Sequence, residues 1–328
     1  MRRAGAILGL LLFLSGQALF AQTNGLEMPT LAQRLSITAF EVVNRIPASH
    51  LKQLPKALPV YRYSAKPREF SPAALQTLLD ESAFAGTNAT DLLRRYPNEP
   101  DRAIRLATPR NSDSFVMVPE HGTVVLQSQG IPSSQTPDSV PSFEAVREQL
   151  LRFARMFEIG TNQLARSPDG AIRTPRTEDK ITRMGGAVRF IGRRSVRFSR
   201  SLSGYPILGN SDKIELVLGS GGRILKFELK WPLIESVETN RLFAAEQLIF
   251  EIARGNALAD VSNEYPPDGV SKIVLNDIRV FYYVFSLRGF DPPPNATVFP
   301  VASLHVTFTS KSGKTEEGGM YAPIMESR

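Results

Sequence analysis

From Val196 to Ile234 the chain reads VRFSRSLSGYPILGNSDKIELVLGSGGRILKFELKWPLI. Val196 and Phe198 share one side of an extended segment while Arg197 and Ser199 share the other. Ile214, Leu216 and Leu218 repeat that two-residue alternation, the period of a strand with one buried face. Gly219-Ser220-Gly221-Gly222 then reads as a hairpin turn into Ile224–Trp231. Gly204 and Gly209 bracket Pro206, which cannot donate a ladder hydrogen bond and so belongs at an edge or bulge. Strand, connector, strand, turn and strand predict a curled antiparallel sheet. The stretch holds no residue set that could run a reaction.

Around it the chain reads as modules. Ser142 caps a helix whose Phe143, Val146, Leu150, Phe153, Ala154 and Phe157 form one apolar face, closed near Gly160. Strands at 187–191 and 195–202 follow, with Arg193 and Arg194 in the turn between them. The same order recurs: Thr239 or Asn240 caps a helix ending at Gly255, then come strands at 272–275, 278–287 and 298–308 and a last one ending near Ile324. Gly222 lies ten residues before Pro232 and Gly313 ten before Pro323, which suggests an internal repeat. Upstream, Ala32, Leu35, Ile37, Phe40, Val43 and Ile46 have roughly helical spacing before Pro47. A strand at 60–63 follows, then a helix opened by Ser71-Pro72 and a hairpin over 113–126. Residues 127–141, rich in Ser, Pro, Gln and Gly, read as a linker. The expected organisation is a signal peptide over 1–21, an N-terminal module over 22–135, a central module over 136–235 and a C-terminal repeat over 236–328.

Ser203-Gly204-Tyr205-Pro206-Ile207-Leu208-Gly209, the alternating strand at 213–218 and Gly221-Gly222-Arg223-Ile224 resemble the PepSY and fungalysin/thermolysin-propeptide class. The resemblance covers about 45 residues well, the C-terminal copy less so. It implies an α+β fold of tandem modules, each one helix on a curved antiparallel meander (cystatin/PepSY-like). It also implies a binding or regulatory role, with a peptidase as a partner. No peptidase follows the module and no His-Glu-x-x-His is present, so any such action would be in trans.

Arg2 and Arg3 precede an apolar run over 6–20 and small residues at Ala18 and Ala21, the pattern of a secretory signal cut after Ala21. The run is too short for a membrane span, and no later segment is apolar enough to be one. With no Cys there is no lipid attachment site, disulfide or thiolate chemistry, so we expect a bacterial periplasmic or extracellular protein. The formal charge of +7 is concentrated: nine basic residues face only Glu178 and Asp179 between Arg173 and Arg200. That patch, with Arg189, Arg193, Arg194 and Arg197 as its candidate contacts, suits an acidic protein or anionic polymer. Nucleic acid is disfavoured because Phe190 and Phe198 fall on the opposite strand face from Arg189 and Arg197. Trp231 reads as core packing or, alternatively, as an exposed ring for a carbohydrate or peptide.

Catalytic patterns are missing. His50, His121 and His305 have no second His or Cys at ligand spacing, so no metal and no cofactor are expected. No Gly-x-Ser-x-Gly elbow and no phosphate-binding loop occur. Asp212, Glu215 and Glu228 remain as carboxylates a fold could pair for hydrolysis. The expectation is an exported, non-catalytic binding or regulatory protein of the bacterial envelope. An anion-binding or structural protein is the first alternative, and a hydrolase with a fold-assembled carboxylate pair the second.

Overall fold

The computed structural model describes residues 41–99, 102–108, 113–128, 139–182, 189–209, 212–254, 258–259, 269–284 and 295–325. The signal segment, most of the predicted N-terminal helix and the centre of the linker lie outside the described residues.

The chain forms two compact units. One comprises residues 1–62, 236–290 and 296–328, and the other residues 63–235 and 291–295. The linker over 127–141 divides nothing, since the strand before it and the helix after it share one core.

The second unit is built on a seven-stranded antiparallel sheet. Its strands are β3 (Ile104–Ala107), β4 (Asp113–Val118), β5 (Thr123–Ser128), β6 (Arg176–Thr182), β7 (Arg189–Ser199), β10 (Lys213–Leu218) and β11 (Ile224–Lys230). They lie in the order β3-β4-β5-β11-β10-β7-β6. Three helices belong to this unit: α2 (Pro72–Asp80), α3 (Ala89–Arg95) and α4 (Phe143–Met156). Ser71 caps α2 and Ser142 caps α4, each hydroxyl accepting the N–H three residues on, as the sequence predicts. Val146, Leu150, Phe153 and Ala154 of α4 are buried in the same cluster as Ile214, Leu216, Phe227 and Leu229. Burying a side chain of that size is worth about 1.5–3 kcal/mol, so this seam contributes substantially to the unit's stability. The helix stops at Glu158, which takes φ +58, rather than at Gly160. Ser203 (φ +48) and Gly204 (φ +85) make the two-residue turn of a small hairpin, β8 (Ser201–Leu202) with β9 (Tyr205–Pro206).

The first unit holds β1 (Glu41–Asn44), β2 (Ala57–Tyr63, to Arg62), β12 (Ile234–Arg241, from Ser236), β13 (Leu258–Ala259), β14 (Val270–Val284), β15 (Thr297–Ser310) and β16 (Thr315–Pro323). Its sheet runs β1-β14-β15-β16-β13, with β2 joining β15 to β12. Helices α1 (Ala48–Lys52) and α5 (Ala245–Ala253) complete it. Val43 lies in a strand parallel to β14, not in a helix. Thr239 and Asn240 lie in β12, so α5 begins later than predicted, after Ala244. The two strands expected at 272–275 and 278–287 are one, because a register shift between Leu275 and Asp277 absorbs the polar Asn276 instead of breaking the strand. Pro300 sits inside β15, opposite Tyr282 of β14, between the end of pairing to β2 at Val298 and the start of pairing to β16 at Val301.

The α+β expectation of one helix per meander is therefore corrected: this is a β-rich fold. Two seven-stranded sheets carry the units, and among the described residues there are only five α-helices.

Candidate functional site

Strands β7, β10 and β11 send alternate side chains to opposite faces of their sheet. Val196, Phe198, Ile214, Leu216, Phe227 and Leu229 go to the core. The other face receives Arg197, Lys213, Glu215, Lys226, Glu228 and Lys230, held together by register: Glu215 is paired with both Glu228 and Arg197, and Lys213 with Lys230. Two facing glutamates would repel, and lysines separate them. Lys226 Nζ lies 2.8 Å from Glu215 and 2.6 Å from Glu228. Lys213 Nζ lies 3.0 Å from Glu228, and Lys230 reaches the same carboxylate at 3.7 Å. The Lys213 and Glu228 side chains are only 9% and 10% exposed. Burial alone would raise the Glu228 pKa, but hydrogen bonds and charge from Lys226 and Lys213 outweigh it and hold the carboxyl below its ordinary value. Burial likewise opposes the Lys226 charge, and the two carboxylates outweigh it, raising that pKa. The result is a lattice of four cations around two carboxylates.

This arrangement bears on the proposed carboxylate pair. A hydrolytic pair needs one member held protonated by its surroundings. Glu228 is pushed the opposite way, and Glu215 shares its lysine. The lysines that produce this were legible in the sequence: Lys213 is two residues from Glu215, and Lys226, Glu228 and Lys230 follow the same spacing, so all five share a face.

The basic stretch divides. Arg193 and Arg194 are not in a turn but inside the eleven-residue strand β7. They face β6, a strand that was not anticipated, whose Asp179 pairs with Arg193 and whose Glu178 lies 2.9 Å from Arg194. Arg194 also donates to the carbonyls of Val140 (3.1 Å) and Pro141 (2.8 Å), and its guanidinium lies 5.3 Å from the Phe143 ring centre. It therefore fixes the entry to α4. Arg197 belongs to the charged lattice, and Arg189 pairs with Thr182 through the backbone. Among the described residues of this region, Arg173, Arg176, Lys180 and Arg193 are exposed cations.

Trp231 is not exposed: at 1% accessibility it is interior, and its Nε1 donates to Gln163 at 3.2 Å. The Arg200 guanidinium stacks 4.4 Å above its ring. Arg200 and Asp212, 6% and 3% exposed, pair at 2.9 Å. Arg200 also donates to the Pro232 carbonyl, while the Tyr63 hydroxyl donates to the second Asp212 oxygen. Arg68 closes the group by donating to the Trp231 carbonyl at 2.8 Å. Its pKa falls to about 10 through burial and the nearby charge of Arg200, against a weaker pull from Glu158. This cluster is a clasp inside the second unit.

In the first unit His50 Nδ1 lies 2.9 Å from Asp277, and His305 lies 3.6 Å from Glu317. His121 sits in the tight turn between β4 and β5, before Gly122. Among the described residues no three His, Cys, Asp or Glu are grouped to hold a metal ion, and no helix is long and apolar enough to cross a membrane.

No family model and no curated protein matches the chain. Among solved structures it is similar to an uncharacterized protein from Eubacterium rectale ATCC 33656, with a TM-score of 0.42 and 10% identity over 89% of this chain and 92% of that one. A likeness of that size carries no statement about fold or function.

Proposed function

We propose that the chain is an exported, non-catalytic binding or regulatory protein of the bacterial envelope. Its PepSY-like segment engages an acidic partner through the charged face of β7, β10 and β11. The observation that supports this reading is the density of cations on that face: Arg197, Lys213, Lys226 and Lys230 share it with Glu215 and Glu228. An acidic side chain entering beside Lys226 and Lys230, the most accessible of the lysines, completes the alternation of sign. A secreted peptidase, acted on in trans, is the partner class that the PepSY resemblance suggests.

The test uses a labelled polyglutamate peptide and the purified chain. Raising the salt from about 0.01 M to about 1 M shortens the screening length from ~30 to ~3 Å, so binding should weaken steeply. Lys230→Glu should weaken it further at low salt. A parallel assay follows casein cleavage by a thermolysin-class peptidase with and without the chain. Salt-insensitive binding, or none, overturns the charged-face reading; unchanged cleavage overturns the peptidase as partner. A second reading, an anion-binding envelope protein, rests on the exposed Arg173, Arg176 and Lys180 near β6. It predicts that charge reversal there, and not at Lys230, abolishes binding.

A further inference from the structure

Sheet edges in this protein are guarded unequally. In the second unit the edge strand β6 carries Arg176, Glu178, Asp179 and Lys180 and a register shift at Asp179/Lys180, features that discourage another strand from adding. In the first unit, β12 from Ser236 carries two charges, Glu238 and Arg241, and has neither lysine nor proline. Among the described residues its only strand partner is β2. Among the described residues the outer side becomes occupied at the strand's C-terminal end, where the Asn240 side chain reaches Met325 at 3.7 Å, Leu242 bridges to Met325 and Phe243 N–H donates to Ile324. Residues 236–239 are exposed, so the strand is uncovered on both faces over this length.

We infer that the outer edge of Ser236–Arg241 is a docking site for an extended polypeptide, which adds to it as a strand. A row of backbone N–H and C=O groups is matched only by another backbone, which selects a peptide over a sugar, lipid or small anion. The side chains set its sequence. Val237 and Thr239 lie on one face of β12, and Ser236 and Glu238 on the other. Val237 is 48% exposed, one of three large apolar side chains so exposed among the described residues. Glu238, a carboxylate beside the edge, accepts from Asn240 at 3.0 Å. The fitting partner therefore alternates apolar residues, which meet Val237, with basic residues, which meet Glu238. This site is independent of the charged face of the second unit and selects the opposite charge in its ligand.

The probe is a fluorescein-labelled peptide of alternating valine and lysine, titrated with the full chain and followed by anisotropy. Binding should be at least tenfold tighter than for an alternating valine and glutamate peptide. N-methylation of the probe at alternate residues, which removes ladder donors without touching the protein, should weaken it at least tenfold. Val237→Pro should do the same, and hydrogen exchange should slow at 236–241 when the probe is bound. Equal binding of the N-methylated probe, no binding, or protection located elsewhere would overturn the inference. So would protection of 236–241 in the chain alone that grows with its concentration, because a second copy would then occupy the edge. A cationic probe is repelled by the lattice of Lys213, Lys226 and Lys230, so failure here is distinguishable from failure of the charged-face reading.

Discussion

Asp212→Asn removes one charge from the clasp while keeping the shape of the side chain. Arg200 is 6% exposed and close enough to Arg68 to depress the Arg68 pKa, so once Asp212 is neutral its guanidinium would lie beside a second cation with little water to screen it. Removing one partner of a buried pair typically costs about 3–5 kcal/mol. Two contacts survive the change, the Pro232 carbonyl at 2.9 Å and the Trp231 ring at 4.4 Å. A stacked ring retains about 0.5–2 kcal/mol, so the lower end, about 3 kcal/mol, is expected. Trp231 is the only tryptophan, which makes its fluorescence a local probe of the second unit during urea unfolding. For a unit of this size the same loss lowers Tm by roughly 6–12 °C. Replacing the pair by apolar residues, Asp212→Leu with Arg200→Met, should recover most of the loss, because no charge is then left buried. A cost for Asp212→Asn below about 1 kcal/mol, the range of exposed pairs, would refute the reasoning.

Three further outcomes follow from other positions. Gly122 takes φ +57, and a Cβ there would lie 2.4 Å from the Trp231 carbonyl oxygen, whereas Gly86 at φ +91 has nothing within 4 Å. Gly86→Ala should cost only the left-handed strain of about 1–2 kcal/mol, and Gly122→Ala clearly more, as read by denaturant midpoints. Leu150→Ala, at a site with no exposed surface, should cost about 2–5 kcal/mol in the same assay. Glu228 and Asp277 are held below their ordinary values of 4.5 and 3.8, so their stabilisation is complete above about pH 4.5 and is lost as pH falls through the lowered folded values. Unfolding midpoints should drop in that acid range, and Glu228→Gln should flatten the drop; an unchanged slope would refute the role given to the lysines. Arg68 runs the other way: its folded pKa is depressed, so its burial becomes less costly as pH rises through about 10.

How much could be read from the sequence depended on whether a segment's neighbours were local. Caps such as Ser71 and Ser142, and the alternation at 214–218, are decided within a few residues, and they appear where the sequence places them. The pairing of β5 with β11 is not local: Lys226 meets Gln127 across almost a hundred positions, so the hairpin over 113–128 joined the central sheet despite the Ser- and Pro-rich stretch between them. Polarity also misled. The run RTEDKIT reads as loop because it has almost no apolar residue, yet as edge strand β6 it needs none, since its charges pair with β7. The same pairing explains the patch, for a count of basic residues cannot say that Asp179 and Glu178 lie across from Arg193 and Arg194. Arg200 was opaque for the converse reason, since it counts with the basic patch in the sequence and the fold instead buries it against Trp231, whose core-packing reading fits its 1% exposure.

The connector that carries the family resemblance is best understood from its two ends. Arg200 and Asp212 lie twelve positions apart, before and after the glycine-rich segment. They meet in two ways, the Arg200 N–H donating to the Asp212 carbonyl at 3.0 Å and the side chains pairing at 2.9 Å, while the Ile207 N–H donates to the Arg200 carbonyl from within the loop. Closing a loop of that length costs about 2 kcal/mol of chain entropy, and the buried pair with its backbone bond sits at the point where that cost is incurred. The glycines then have a narrower role than bending a sheet. Gly204 forms the tip turn of β8 and β9, and Gly209, at φ +102, has no neighbour within 4 Å of where a Cβ would stand. Gly209→Ala should thus cost only backbone strain, while either end of the loop should be far less tolerant. The residues that specify this connector are its flanking charges, and the glycine pattern between them is the part that many unrelated turns could share.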